Sequence, residues 1–514
     1  MKNRDLQATW AYHNGTKHSY ESIRTNRHYL DWENQPIPFK VYSELKSIPL
    51  PQQLSSSGTT ALEAISSLEA QTKDQVVPSI QTLAEILYLS AGITKRRSYP
   101  GGEILFRAAA CTGALYHIDL YLVCGDLPNL KAGVYHFDPR DFALRRLRDG
   151  DYRNALVQAS GREPAIANAP AIIVCASTYW RNAWKYQSRA YRHCYWDTGT
   201  ILANLLAAAT ARQMPARIVL GFVDDAVSRL LGLETTREGA LTLVALGNAP
   251  SQPTDSSPPI DPLTFETAPL SKTEVDYPAI RAMNEASSLE SAAEVIDWRR
   301  QTLENPSILT DILKDRLIAL QPLGDDEMPR DSLENVIQRR GSTRRFSRES
   351  ISFRQLSTML VQATRGVPTD FLPEEAALND LYLVVHAVDD LSTGAYVFHR
   401  DSRSLQLLKE GDFRRQAGHL GLGQEIPADC SVAVFFLTDL NRALERWGNR
   451  GYRAAQLEAS IMGGKLYLAA YAQGLGASGL TFFDDDVTEF FSPHAAGKSV
   501  MFLLAIGKSA SRKM

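Results

Sequence analysis

The chain holds 514 residues, with 55 Lys and Arg against 58 Asp and Glu, a formal net charge of −3. That near balance argues against an electrostatically driven nucleic-acid binder. No apolar run of membrane-spanning length appears, and the amino terminus MKNRDLQATWAYHNGTKH lacks the apolar core of a secretory signal; the expectation is a soluble, cytoplasmic, multidomain protein with no membrane and no nucleic-acid partner.

In chain order, roughly the first 75 residues form a leading arm with no counterpart elsewhere in the chain. PSIQTLAEILYLSAG, from Pro78, carries apolar residues at helical spacing. RAAACTGALYHIDLYLV, from Arg107, sets small residues, Cys111 and Thr112 ahead of an apolar segment. DLYLV, GVYHFDP from Gly133 and APAIIVCAS from Ala169 are short apolar or alternating runs bounded by turn residues, and predict strands. WRNAWKYQSRAYRHCYWDTG, from Trp180, concentrates Lys185, Tyr186, Arg189, Arg192 and His193; on residue type alone it is an aromatic-rich amphipathic helix. TGTILANLLAAATARQ, from Thr198, is apolar on most of its circumference and predicts a buried helix. LTLVALG, ending at Gly247, predicts a central strand. NAPSQPTDSSPPIDPLTF, from Asn248, is a Pro- and Ser-rich linker, and a more helical stretch follows from about Ala279 to Leu320.

The second half repeats the first. DLYLV at Asp119–Val123 returns at Asp380–Val384, 261 residues later. GVYHF returns as GAYVF from Gly394, LRRLRDGDYR from Leu144 as LQLLKEGDFR from Leu405, and AYR at Ala190 as GYR at Gly451. GFVDDAVSRLLGL from Gly221 matches TFFDDDVTEFFSP from Thr481, and LTLVALG matches MFLLAIG ending at Gly507. Six segments in one order at one spacing are a duplicated domain. The boundaries read as 1–250, a connector at 251–330, and 331–514. Each half is expected to be an α+β sandwich built around a long hydrophobic helix.

The second half opens with NVIQRRGSTRRFSRESIS, whose cations, Ser342 and Thr343 beside a helix boundary suit a phosphate; a solvated basic turn is the plain alternative. GKSASRKM closes the chain with a second basic cluster. Cys111, Cys124, Cys175, Cys194 and Cys430 form no C-x-x-C pair and read as reduced thiols, without a metal site. No nucleophile elbow, P-loop, H-E-x-x-H or G-x-G-x-x-G fingerprint is present.

Together these residues resemble the nitroreductase superfamily and, within it, the SagB/ThcOx-type flavin dehydrogenases. Arg340-Gly341-Ser342-Thr343-Arg344-Arg345-Phe346 is similar to the family's R-R-S-x-R-x-F flavin-phosphate motif, with glycine where the second arginine often sits. RAAACTGALYH is similar to R-x-A-P-S-A-G-A-L-Y-P, from which Ala110, Cys111, Thr112 and His117 depart. Lys185-Tyr186 resembles the Lys-Tyr pair of azoline-oxidising members.

The resemblance implies an intrachain pseudo-dimer of two nitroreductase-like domains, open to further homodimerisation, with FMN at the seam. Arg340, Ser342 and Arg344 would hold the phosphate, with Lys508 or Arg512 as a further cation. Cys111 or Thr112 would take the place of the loop serine, and the Thr481 backbone would face the reducible edge of the ring. Lys185 would be the base, its pKa lowered by Arg189 and Arg192, and Tyr186 would orient it. The motifs divide between the halves. The first half carries HNGTKH in the arm expected to match the phosphate motif, and the second reads L-P-E-E-A-A and Arg446-Trp447 where the loop and Lys-Tyr pair would be. One complete site and one degenerate site are therefore expected. The implied activity is oxidation of a peptide-derived azoline or similar small heterocycle. The alternatives are an NAD(P)H-dependent nitro or quinone reductase and a flavin-free scaffold that binds a peptide or protein.

Overall fold

The structure, a computed structural model, describes residues 2–67, 75–100, 102–249, 256–301, 317–373 and 376–510. The first half contributes β1 (Ser47–Pro49), β2 (Ile93–Tyr99), β3 (Gly102–Arg107), β4 (Ile118–Cys124), β5 (Gly133–Asp138), β6 (Ala143–Asp149), β7 (Ala171–Thr178), β8 (Ala216–Val219) and β9 (Glu238–Leu246). The second contributes β10 (Leu317–Ala319), β11 (Asn379–Val385), β12 (Gly394–His399), β13 (Ser404–Glu410), β14 (Val432–Thr438), β15 (Gly476–Leu480) and β16 (Ser499–Gly507). Two seven-stranded sheets result, ordered β1-β6-β5-β4-β7-β9-β8 and β10-β13-β12-β11-β14-β16-β15. The orders correspond strand for strand. β4, β7 and β14 are buried along their whole length, which is why they read as continuous apolar runs. Among the described residues β2 and β3 pair only with each other and have no equivalent in the second half.

The helices Ala190–Ala211 and Arg450–Ala472 carry the duplication's axis. Both are buried on nearly every side and pack on each other. Gly199 meets Ser460, and Ala203 meets Gly464; each pair is related by the repeat spacing, so equivalent positions face each other as they must on a twofold. A β-carbon on Gly199 would fall 1.8 Å from Ser460 Oγ, so glycine is required for this approach. Ser460 Oγ donates to the Tyr195 carbonyl across the axis at 2.9 Å.

Around the axis lie two related buried ion clusters. Arg189 and Arg192 pair with Asp484 at 3.0 and 2.5 Å, and Arg450 and Arg453 pair with Asp224 at 2.6 Å each. Each joins arginines of one half to an aspartate of the other. Burial alone would raise the Asp484 carboxyl; Arg189 and Arg192 outweigh it and hold the group far below the usual carboxylate range.

The leading arm differs from expectation. β1 and β10 hold the same place in their sheets, and helix Ala61–Ser66 is the counterpart of Leu333–Arg339. Thr60 and Ser332 cap these two helices and bridge to each other across the seam. The segment following Ala61–Ser66, of which 68–74 lies outside the described residues, is therefore the positional equivalent of the phosphate-type arm; HNGTKH is not. His13–His18 closes the helix Leu6–Gly15 and joins the cluster at the seam, where the Thr16 carbonyl accepts from Arg189 of its own half and the His18 amide donates to Asp484 of the second. In the expected helical connector, Pro278–Ala286 and Ala292–Arg299 are helices, Leu317–Ala319 is β10, and 302–316 lies outside the described residues.

Candidate active site

The arm Arg340–Phe346 leaves helix Leu333–Arg339 and is stitched to its own sheet by the Thr343 amide on Ala477 and the Phe346–Ser509 bridge. Arg340 reaches into the other half, donating to the carbonyls of Ala108 at 2.9 Å and Arg107 at 3.0 Å. Two of its donors are thus engaged by the root of the first-half loop. Ser342 is half-buried, its hydroxyl 3.4 Å from Tyr467 Oη. Arg344 is exposed and has no acidic partner among the described residues, so its charge is available to a ligand. Lys508 is also exposed, 3.4 Å from Glu349. Arg512 lies outside the described residues.

The facing loop, Ala108–His117, turns sharply through Gly113 at φ +65°, Ala114 at +55° and Tyr116 at +45°. Three left-handed residues in four need an external anchor, and Asp197 is that anchor. Its carboxylate accepts from the Thr112 amide at 2.9 Å, Thr112 Oγ1 at 2.7 Å and Cys111 Sγ at 3.0 Å, and lies 2.9 Å from His117 Nε2. Burial, and then Asp197, push the Cys111 thiol well above its ordinary range, so it stays protonated. Cys111 and Thr112 therefore fasten the loop to the long helix. Asp197 was not singled out from the sequence, although an acidic residue inside an otherwise apolar helix was the available signal.

Lys185 and Tyr186 end the helix Tyr179–Tyr186, where the chain reverses through Gln187 at φ +50°. Tyr186 lies against the loop: a β-carbon on Gly113 would be 2.9 Å from its hydroxyl. Burial, then the charge of Asp197, push its phenol well above the usual range, while Arg344 of the other half pulls it down. The charged arm and the Lys-Tyr helix, from opposite halves, thus bear on the same loop. Lys185 Nζ sits 5.4 Å from the Tyr186 ring centre and has no acidic partner among the described residues. Arg189 and Arg192, neighbours of Lys185 in sequence, are committed to Asp484 and do not serve the amine as sequence spacing implied.

Behind these groups His193, Trp196, Phe482 and Phe502 form an aromatic wall with contributions from both halves. Burial, and then Arg189, keep His193 neutral. Polar atoms around this wall have no partner: Thr481 Oγ1, His193 Nε2, and Nε and Nη2 of Arg189. Buried polar groups are ordinarily satisfied, so this cluster is an unmet demand for hydrogen bonds. With the free Arg344 guanidinium, it fits a polar, anionic aromatic ligand such as FMN.

The symmetry-related position is filled by the chain itself. Leu220 and Gly221, equivalent to Leu480 and Thr481, donate their amides to the Asp370 carboxylate at 2.8 and 3.0 Å. Trp298 of the connector helix Ala292–Arg299 packs on Gly221 and donates its indole N–H to the carbonyl of Trp447, the equivalent of Tyr186. Phe371 lies between the two tryptophans, at 6.3 and 6.5 Å.

The Nitroreductase family model matches this chain twice, over residues 89–248 and 337–508. MJ1384 of Methanocaldococcus jannaschii, named as a nitroreductase, is 25% identical over 169 residues, covering 33% of this chain and 80% of that protein. The microcin B17-processing protein McbC of Escherichia coli is 26% identical over 159 residues, covering 30% of this chain and 54% of McbC. A crystal structure from Anabaena variabilis, also named as a nitroreductase, superposes with a TM-score of 0.77 at 26% identity, covering 98% of this chain and 99% of that one.

Proposed function

The chain belongs to the nitroreductase family, and from that premise we propose that it is an FMN-dependent oxidoreductase with one composite site, oxidising a peptide-derived azoline or similar heterocycle. The observation that carries this reading is that Arg340 of the second-half arm and Tyr186 of the first half both bear on the loop Ala108–His117, beside unpartnered polar atoms, while the twin position is plugged. The likeness to McbC, a processing protein for a peptide microcin, favours a peptide substrate.

Arg344 and Ser342 would bind the phosphate, and Arg340 would brace the arm against the loop. FMN, when bound, supplies a two-electron acceptor. Lys185 would take the proton that leaves the substrate as its C–H hydride is removed. Tyr186 would keep its own proton and orient the substrate heteroatom. Thr481 would offer a hydrogen bond to the ring edge, and the aromatic wall would exclude water.

Three outcomes test this. The purified protein should show a flavin absorbance spectrum at one FMN per chain, since Trp298 and Asp370 occupy the second position; two per chain would contradict the plugged twin. Arg344→Ala should weaken FMN by about 10- to 150-fold, the worth of one charge-assisted hydrogen bond of roughly 1.5–3 kcal/mol. Equilibrium dialysis with fluorescence detection measures it. Anaerobic bleaching of the flavin by an azoline-bearing peptide, and not by NAD(P)H, separates the dehydrogenase from a nitro or quinone reductase.

A further inference from the structure

The hairpin β2–β3 stands beside the candidate site and is absent beside its plugged twin. β3 runs directly into the loop Ala108–His117, and its last residue, Arg107, is one of the two whose carbonyls accept from Arg340. Among the described residues neither strand pairs with any other, so both outer edges carry backbone groups without a strand partner there. A two-stranded ribbon without a third strand is marginal on its own.

The ribbon's register fixes its faces. Lys95 opposes Phe106, Arg97 opposes Ile104 and Tyr99 opposes Gly102, so these residues share one face. Lys95 and Arg97 are exposed and have no acidic partner among the described residues, whereas Arg96 on the opposite face pairs with Glu103 at 3.6 Å. Tyr99 and Ile104 are exposed large apolar residues, 52% and 43% accessible. A free strand edge, two unpaired cations at alternate positions and an apolar tip are therefore set on one ribbon whose base is the loop of the site.

Resting on the peptide-substrate reading above, we infer that the hairpin is a docking arm: the outer edge of β2 pairs with an extended segment of the substrate peptide that carries acidic residues at alternate positions. Backbone pairing would supply affinity, and the alternate carboxylates opposite Lys95 and Arg97 would supply register. The peptide would gain a strand partner and be led along β3's root to the seam.

The test uses the flavin-loaded full chain and a fluorescein-labelled (Glu-Val)5 peptide, read by anisotropy and by hydrogen exchange. The expected results are binding that weakens with salt, new amide protection confined to β2, and loss of about tenfold in affinity for Lys95→Glu/Arg97→Glu, from two reversed surface pairs. A (Lys-Val)5 peptide, or (Glu-Val)5 with alternate N-methylated amides, should not bind. Equal binding of both charge types, protection elsewhere, or protection of β2 that depends only on protein concentration, which would mark contact with a second copy, overturns the inference. Because this assay reads neither flavin reduction nor turnover, failure of the arm and failure of the oxidase reading are distinguishable. With an azoline-bearing acidic peptide, the double variant should raise KM and leave kcat and FMN content unchanged.

Discussion

Lys185→Ala is expected to retain its FMN and to lose about 10²–10⁴-fold in turnover, the usual worth of a positioned acid–base group. The flavin should remain because the charged arm lies in the other half, at Arg340–Phe346, and Lys185 makes no ion pair that folding would miss. Lys185→Arg should rescue little, since a guanidinium stays protonated and cannot accept a proton. Tyr186→Phe is the useful companion. It keeps the ring against Gly113 and His193 while removing the hydroxyl, so a loss there isolates orientation from packing. Flavin content and single-turnover flavin reduction are measured on the same preparations. A Lys185→Ala protein with full flavin and the parental reduction rate ends the general-base assignment and leaves the fold and cofactor standing. A protein that has lost its flavin makes the residue part of the binding surface instead.

Asp484→Ala should destabilise the chain by about 3–5 kcal/mol, because it strands the buried guanidinium groups of Arg189 and Arg192 without a counter-charge. Asp224→Ala should do the same to Arg450 and Arg453. Since each cluster joins the two halves, the loss should appear as one cooperative shift in a urea titration, with both halves unfolding together. A variant in which one half melts while the other holds would show that the clusters do not bind the halves into one unit. Acid should act on the same contact. The folded Asp484 carboxyl lies below its unfolded value, so its stabilisation is complete above the ordinary carboxylate range and is lost as pH falls through the folded value. The acid limb of stability should therefore flatten in Asp484→Ala. An unchanged acid limb would mean that another carboxylate controls it.

What the sequence discloses and what it hides divide along physical lines. The duplication is legible because long apolar strands and helices repeat their burial pattern, as with DLYLV in β4 and β11. The counterparts β1 and β10 are not, since three residues held by backbone pairing place little demand on side-chain type. The Arg340–Phe346 arm, the Cys111–Thr112 loop and the Lys185–Tyr186 pair are recognisable as strings, and the structure sets them around one seam. What strings cannot show is orientation. Arg189 and Arg192 sit a turn or two from Lys185 in sequence yet face Asp484 across the interface. Cys111 and Thr112 resemble ring contacts but are fastened to Asp197, 85 residues on from Thr112. Trp298, in a connector without any motif, closes the second site through contacts with residues far away in the chain.

The meeting of Gly199 with Ser460 has a consequence for assembly. In a homodimer, a residue on the axis must face its own copy. Two copies of the first half would set glycine against glycine, leaving a gap and no hydroxyl to reach the Tyr195 carbonyl. Two copies of the second would force serine onto serine where even a single β-carbon opposite would fall 1.8 Å from the hydroxyl oxygen. Each half is thus shaped to reject itself and accept its sibling, as a key accepts one lock. If the gene were cut within the linker after Asn248 and the pieces made together, they should assemble one-to-one, with neither homodimer competing.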